Sequence, residues 1–391
     1  MTVWDELTGQ SEAIAIFRAA AADSTLGDSP IGDSAMTHSW LITGPPGSGR
    51  SNLAYAFATA LLSPAATGGV GNPDGDEGTR RQVAARTHPD LAVLSTEGVI
   101  IKMDDVRRLV SSSNFSPSVS RYRVMVIEDA DRMQERTSNV LLKALEEPPP
   151  RTVWILCAPS EADLLPTIRS RVRTVRLRVP NVAEVAELIA LRDGVDIATA
   201  TRAARESQSH IGMAHRLATN EDARRRRQQT IEIALGIHTV SGAVIAAAKL
   251  LELAGEDAKA ITEERDAEER ERALRSLGIE PGGTIPPALR AQLRTLEDDQ
   301  KRRATRSLRD GIDRIMVDLL SLYRDILLLQ LDARTEPINL AIVSQLTSAS
   351  AASTAAETLA TMDAIATART RIDGNVAPAL ALEAMLISTA R

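Results

Sequence analysis

The chain has a single cysteine, Cys157, among 391 residues, which excludes an internal disulfide framework and any multi-cysteine metal site and fits a reducing compartment. Aromatic residues make up only 2%, so stacking platforms for single-stranded nucleic acid are not expected. Core volume has to come from Leu, Ile, Val and abundant Ala, a composition suited to closely packed helices. There is no excess of positive charge either: the formal net charge is -6 and the pI about 5.6, so no global field draws the chain to nucleic acid, and a DNA contact has to be local or belong to a partner. Long apolar runs are missing, ILLLQL near residue 328 being far short of the roughly 20 residues that span a bilayer. The N-terminal MTVWDELTGQSEAIAIF carries acids early and lacks both a basic n-region and an apolar h-region, so it does not read as a secretory signal. These absences lead to the expectation of a cytoplasmic protein of two or three domains without a membrane segment.

From Trp40 to Arg178 short apolar runs alternate with helical patterns, the signature of a parallel sheet covered by helices. Strands are predicted at Trp40 to Thr43, Leu91 to Leu94, Arg123 to Glu128, Thr152 to Cys157 and Thr174 to Val179. RVMVIE and TVWILC are nearly all apolar, as strands buried on both faces should be; TVRLRV alternates, with Val175, Leu177 and Val179 on one side. Between Ser63 and Glu77 the sequence is rich in Gly, Pro, Ala, Thr and Asp, which reads as a flexible surface excursion. After Pro180 the period is helical throughout. Val182, Val185, Leu188 and Ile189 form one apolar stripe, and Leu308, Ile312, Ile315, Leu319, Leu322, Ile326 and Leu327 define a strongly amphipathic helix. Two charged helices broken by EPGGTIPP are expected at about 252–310. The fold class is therefore α/β plus all-α.

GPPGSGRS, from Gly44 through Pro45, Pro46, Gly47, Ser48, Gly49 and Arg50 to Ser51, follows a strand and opens a helix. It is one letter from the phosphate-binding loop G-x-x-x-x-G-K-[ST], in which backbone N–H groups and the helix N-terminus cradle an anion. Arg50 stands where the lysine belongs; it brings charge, but as a wide planar fork. Two readings stand here: a nucleotide cradle, or a tight strand-to-helix turn with no ligand. A second pair, Glu128 and Asp129, ends the strand VMVIE in the reverse of the Asp-Glu order that holds magnesium and orients water, so each side chain differs in length by one methylene. It is a degenerate acidic site or a solvated strand end.

Downstream, LLKALEEPP (Leu141 to Pro149) leads through a strand to Ser170-Arg171-Val172. This run resembles the AAA+ clamp-loader subunits of bacterial DNA polymerase III, the delta-prime line in particular, from about Gly9 to about Ala218. The resemblance implies an AAA+ core at 1–180, a small helical lid at 181–222 and a helical collar for oligomerisation at 223–391. It also implies a pentameric machine with gamma/tau ATPases and delta as partners, which opens the beta sliding clamp and places it on primed DNA. In that family the Arg of Ser-Arg-Cys reaches the ATP site of a neighbouring subunit; Ser170 and Arg171 match, with Val172 replacing the Cys. The lid stretch SQSHIGMAHR has Gly212 where active members carry a nucleotide-sensing Arg. Three chemical parts are thus altered together, which implies a stator with little or no ATPase of its own. The alternative is an active ATPase working through Arg50 and Asp129, with ATP and magnesium as cofactors; a generic AAA+ adaptor is a third reading.

Arg224 to Arg227 form the one dense basic cluster, a phosphate contact or a charged helix between domains. Many clamp-loader subunits carry a four-cysteine zinc module after the first helix, where this chain has no Cys, and His88 alone cannot make a tetrahedral site. Elemental analysis of the purified protein is therefore expected to find no zinc; stoichiometric zinc would contradict this.

Overall fold

The computed structural model describes residues 2–4, 7–22, 35–64, 72–95, 100–276 and 290–389, with side chains excepted at 261, 264, 265, 267–276, 290–299, 302 and 303. Two compact units are present, Met1–Thr219 and Asn220–Arg391.

In the first unit, helix α1 (Ser11–Ala22) precedes β1 (Ser39–Thr43), α2 (Arg50–Leu62), α3 (Glu77–Ala84), β2 (Leu91–Leu94), α4 (Met103–Ser113), β3 (Arg123–Ile127), α5 (Glu135–Glu146), β4 (Thr152–Ala158), the single turn α6 (Pro166–Arg169) and β5 (Arg173–Arg176). The strands form one sheet in the order β2-β3-β4-β1-β5, every pairing parallel. Alternation along the buried strands divides the core. Trp40, Ile42, Val124, Val126, Ile155 and Cys157 pack on one face with α1 and α2. Leu41, Met125, Ile127, Trp154 and Leu156 pack on the other with α4 and α5. Phe17, Trp40 and Phe57 form a cluster with ring centroids 4.4–5.6 Å apart where α1, β1 and α2 meet. A parallel sheet between helical layers is the α/β class expected from the sequence.

Two local expectations need correction. The last strand stops at Arg176, and Val179 is 53% exposed. Leu177 makes the final link, its N–H donating to Thr43 O at 2.7 Å. The chain then leaves the sheet: the Arg178 N–H donates to Gln10 Oε1 at 3.2 Å, and its side chain pairs with Glu184. Nor is the whole of Ser63–Glu77 a free excursion. Trp4 Nε1 donates to Pro73 O at 2.7 Å and Val3 N to Asp74 O at 3.2 Å, while Asp76 caps α3 through the Thr79 N–H at 3.0 Å. Residues 65–71 of that stretch lie outside the described residues.

Three short helices complete this unit: α7 (Val182–Asp193), entered through a reciprocal Asn181–Glu184 capping box, α8 (Ile197–Glu206) and α9 (Ile211–Thr219). Val185 and Ile189 of the expected stripe are buried, Val182 and Leu188 half-buried.

The second unit is helical: α10 (Glu221–Leu235), α11 (Val240–Ser276), α12 (Arg290–Gln330), α13 (Val343–Ala352), α14 (Ala355–Asp373) and α15 (Pro378–Thr389). Small residues let α11 and α12 approach closely. Ala243, Ala247 and Ala254 are fully or nearly fully buried, and a Cβ on Gly311 would lie 3.0 Å from Ala254 O. The predicted stripe on α12 is in the core at Ile312, Ile315, Leu319, Leu322 and Ile326. EPGGTIPP lies outside the described residues. Buried Asp325 accepts from the N–H groups of Ile338 (3.0 Å) and Asn339 (2.8 Å), fixing the approach to α13. In the basic cluster, Arg226 pairs with Asp257 at 2.9 Å, while Arg227 pairs with Asp318 at 3.1 Å and donates to Asn339 Oδ1 at 2.6 Å. Those two cations are engaged inside the unit.

At the start of β2, fully buried Asp90 accepts from Ser118 N (2.6 Å), Ser118 Oγ, Val119 N and Ser120 N (each 2.8 Å), with Arg123 at 3.7 Å. His88 is buried beside it, Nδ1 accepting from the Asp90 N–H at 3.1 Å; it is a packing residue here. Burial pushes the Asp90 carboxyl up, but the hydrogen bonds from Ser118, Val119 and Ser120 outweigh it and hold the group below the usual carboxylate range. Its stabilisation is complete above the unfolded carboxylate value of about 4 and is lost as pH falls through the depressed folded value. Asp90→Ala, which leaves buried donors unpaired, is expected to cost about 3 kcal/mol or more in urea unfolding at neutral pH. It should also remove this component of acid sensitivity; a loss below about 0.5 kcal/mol would contradict it.

Candidate functional site: the phosphate loop and the Ser170-Arg171 turn

The carboxyl ends of β1, β3 and β4 lie along one edge of the sheet, where open α/β sheets bind ligands. The loop after β1 is tied to β4, Gly44 N donating to Pro159 O at 3.2 Å. It turns through Ser48 N to Pro45 O at 3.1 Å and passes Gly47 at φ +81° and Gly49 at φ +92°. Those left-handed positions favour glycine. Gly49 caps α2, which starts at Arg50 as the sequence predicts. Ser48 Oγ and Arg50 Nη1 are buried and have no hydrogen-bond partner among the described residues. Buried polar atoms without partners are costly, and the loop, its orphaned donors and the helix N-terminus fit a phosphate group.

The acidic side of the site does not fit a magnesium ion as well. β3 ends at Ile127, one residue earlier than predicted, and Glu128 N still donates to Leu94 O at 2.9 Å. Each carboxylate oxygen of Glu128 already accepts a hydrogen bond: Tyr55 Oη donates to Oε1 at 2.8 Å and Arg86 Nη2 to Oε2 at 3.3 Å. Arg86 also lies 5.7 Å from the Tyr55 ring centroid and donates to Ser95 Oγ at 3.1 Å. Burial, and then the Glu128 charge and hydrogen bond, push the Tyr55 hydroxyl well above its ordinary value, so it remains a proton donor to Glu128. Asp129 sits at φ +51° with Arg132 at 3.9 Å. Asp131 follows with a buried Oδ1 that has no hydrogen-bond partner among the described residues; burial, with the Asp129 charge adding to it, raises its carboxyl. Cys157 lies inside β4, its thiol pushed up to about 12 by burial, which leaves it inert.

The turn before α9 approaches the phosphate loop from the other side. Gln208 and Ser209 have φ of +52° and +64°, a strained pair for non-glycine residues. They bring His210 against Gly47, where a Cβ would lie 2.3–2.5 Å from three ring atoms. Ile211 N donates to Gly47 O at 3.4 Å. Gly212, at the expected sensor position, lies in the first turn of α9.

Ser170 and Arg171 occupy the turn between α6 and β5. Arg171 Nε and Nη2 donate to Glu146 Oε2 at 3.3 and 3.1 Å, and Nη1 donates to Thr167 O at 2.9 Å and Ser170 Oγ at 3.2 Å. Nearby, Arg173 donates to Ala35 O at 2.7 Å and lies 5.1 Å from the Trp40 ring centroid. Arg169 is exposed at the end of α6.

Residues 28–181 match the family model described as DNA polymerase III, delta subunit. That match covers 154 of the 391 residues. The chain is 36% identical over 157 residues to the DNA polymerase III subunit delta' of Pseudomonas aeruginosa, covering 39% of this chain and 47% of the relative. It is 34% identical over 145 residues to the delta' subunit of Haemophilus influenzae, covering 37% and 43%. The gamma/tau subunit of Mycobacterium tuberculosis H37Rv is 31% identical over 137 residues, covering 35% and 23%. The chain thus spans less than half the length of these curated relatives. A solved Thermotoga maritima gamma subunit-related protein of DNA polymerase III aligns over 96% of this chain and 97% of its own at 17% identity, with a TM-score of 0.38. The resemblance to the delta-prime line read from LLKALEEPP and Ser170-Arg171 is thus found also in whole-segment comparison over residues 28–181.

The sequence did not single out Tyr55, Arg86, Glu146 or His210. Glu146 was visible within LLKALEEPP, but nothing local told that it would meet Arg171. Among the described residues, no group of three or more His, Cys, Asp or Glu could hold a metal, and no helix is long and apolar enough to cross a membrane.

Gly47→Ala is expected to destabilise the protein by about 2 kcal/mol or more through both the positive φ and the His210 ring. Adding His210→Ala should recover part of the loss while leaving the backbone penalty of about 1 kcal/mol. Equal stability of the single and double variants in thermal unfolding would contradict the contact.

Proposed function

We propose that this chain is the delta-prime subunit of a cytoplasmic DNA polymerase III clamp loader, a stator that hydrolyses little or no ATP and lends Arg171 to the ATP site of a neighbouring subunit. The match of residues 28–181 to the delta-subunit family model supports the clamp-loader part of this reading. The observation that carries the stator part is Glu128: with Tyr55 and Arg86 on its two oxygens, its charge is partly offset and its orientation held within the chain, which makes it a poorer magnesium ligand than an unpaired carboxylate. Arg50 in place of the loop lysine and Gly212 at the sensor position point the same way. The partners are the gamma/tau ATPases and delta, joined through the helical second unit, with the beta clamp and primed DNA engaged by the assembly. A guanidinium against a γ-phosphate contributes roughly 10³ to 10⁵ in rate, so a subunit without turnover is still needed for catalysis by its neighbour.

The unpaired Ser48 Oγ and Arg50 Nη1 favour a second reading of the loop: it binds a phosphate or a nucleotide without cleaving it. ATP in that case serves as a structural ligand, held by the backbone of Gly47 to Ser51. Active hydrolysis through Arg50 and Asp129 has less support, because the acidic side is committed elsewhere.

Arg171→Ala is expected to leave assembly with the other subunits intact while the served site loses roughly 10³-fold in rate. DNA-stimulated turnover of the reconstituted complex then falls by at least that site's share. Unchanged turnover in an intact complex rejects the donated arginine.

A further inference from the structure

We infer that Glu146, the last residue of α5, is a positioning residue for Arg171; this rests on the donated-arginine reading above. An arginine side chain has many rotamers and five N–H donors on a rigid planar fork. Here four of those donors are used within the chain, and they are used by two elements. Thr167 O and Ser170 Oγ, on the turn that carries Arg171, take the Nη1 pair. Glu146 Oε2, from α5, takes the Nε edge together with one N–H of Nη2. The local acceptors alone would let the plane swing about Nη1. Glu146 adds a fixed point from a separate element and defines the plane's orientation, leaving one Nη2 N–H uncommitted.

Exposure makes the arrangement suitable for a donated group. The Glu146 side chain is 58% exposed and that of Arg171 30%, so the pair is a weak, solvent-screened bridge. A triphosphate, with several negative charges, can draw the guanidinium onto itself without a large cost for leaving Glu146. Held by Thr167 O and Ser170 Oγ and steered by Glu146, the fork starts from a restricted set of orientations, which is the means by which orientation accelerates a step. Glu146 therefore acts through Arg171 and does not itself touch the nucleotide. The LLKALEEPP run acquires a chemical reason for its first glutamate: the C-terminal end of α5 is where a carboxylate can reach the turn after α6.

The test uses the reconstituted complex with native chain, Glu146→Gln, Arg171→Ala and the double variant, after gel filtration shows that each assembles. Glu146→Gln keeps the size of the side chain and removes its charge. Its Arg171-dependent turnover, taken as the difference from the Arg171→Ala complex, is expected to fall about threefold or more in kcat with KM for ATP little changed. Glu146→Asp should restore part of it, and in the Arg171→Ala background Glu146→Gln should cause no further loss. In the isolated chain carrying ¹⁵N-labelled arginine, the Arg171 Nε–H resonance should be protected from exchange and lose that protection in Glu146→Gln. Unchanged or increased turnover with Glu146→Gln, in a complex that Arg171→Ala does impair, overturns the positioning role alone. Unchanged turnover with Arg171→Ala overturns the donated arginine and this role together.

Discussion

A carboxylate already paired with a guanidinium and a hydroxyl offers a metal ion less charge and less freedom of orientation than an unpaired one. Glu128 is in that state, with the Tyr55 hydroxyl on one oxygen and the Arg86 guanidinium on the other. Its place after β3, on the same edge as the phosphate loop, is where an ATPase would keep an acidic group available for magnesium and water. The two partners come from different directions, Tyr55 from α2 and Arg86 from the turn after α3, where the backbone adopts φ +56°. A residue held in that region indicates that the surrounding structure enforces it. The clamp on Glu128 thus ties together the helix that follows the phosphate loop, the segment before β2 and the end of β3.

The rest of the edge follows the same division between preserved shape and altered chemistry. Gly47 and Gly49 adopt the left-handed turns that a phosphate cradle would use, and α2 begins directly after them. His210 meanwhile occupies the space beside Gly47, delivered by two consecutive left-handed residues. Arg171 differs: its guanidinium sits on a short turn, hydrogen-bonded to Thr167, Ser170 and Glu146 in a partly exposed pair.

Much of the fold could be read from residue order, for reasons tied to burial. β3 and β4 are covered on both faces, so RVMVI and TVWILCA are almost wholly apolar. The stripe on α12 appears at helical spacing because one side faces the core. β5 was read too long, since the alternation Val175, Leu177, Val179 continues past the point where Gln10 and Glu184 take Arg178 away from the sheet. An amphipathic pattern does not reveal where hydrogen bonding to a neighbour stops. The phosphate loop, Glu128-Asp129 and Ser170-Arg171 were visible as letters, but their chemistry was not. The partners of Glu128 lie 42 and 73 positions away and that of Arg171 lies 25 away, separations at which sequence carries no contact information on its own. Arg226 and Arg227 looked like a basic patch for the same reason, their acids being supplied by α11 and α12.

The most direct measurement is steady-state ATP turnover by the isolated full chain with Mg-ATP, alongside calorimetric titration with the same nucleotide. The account predicts turnover no higher than that of a Ser51→Ala variant prepared in the same way, whether or not the titration shows binding. Turnover clearly above that background, and abolished by Asp129→Ala, would contradict it.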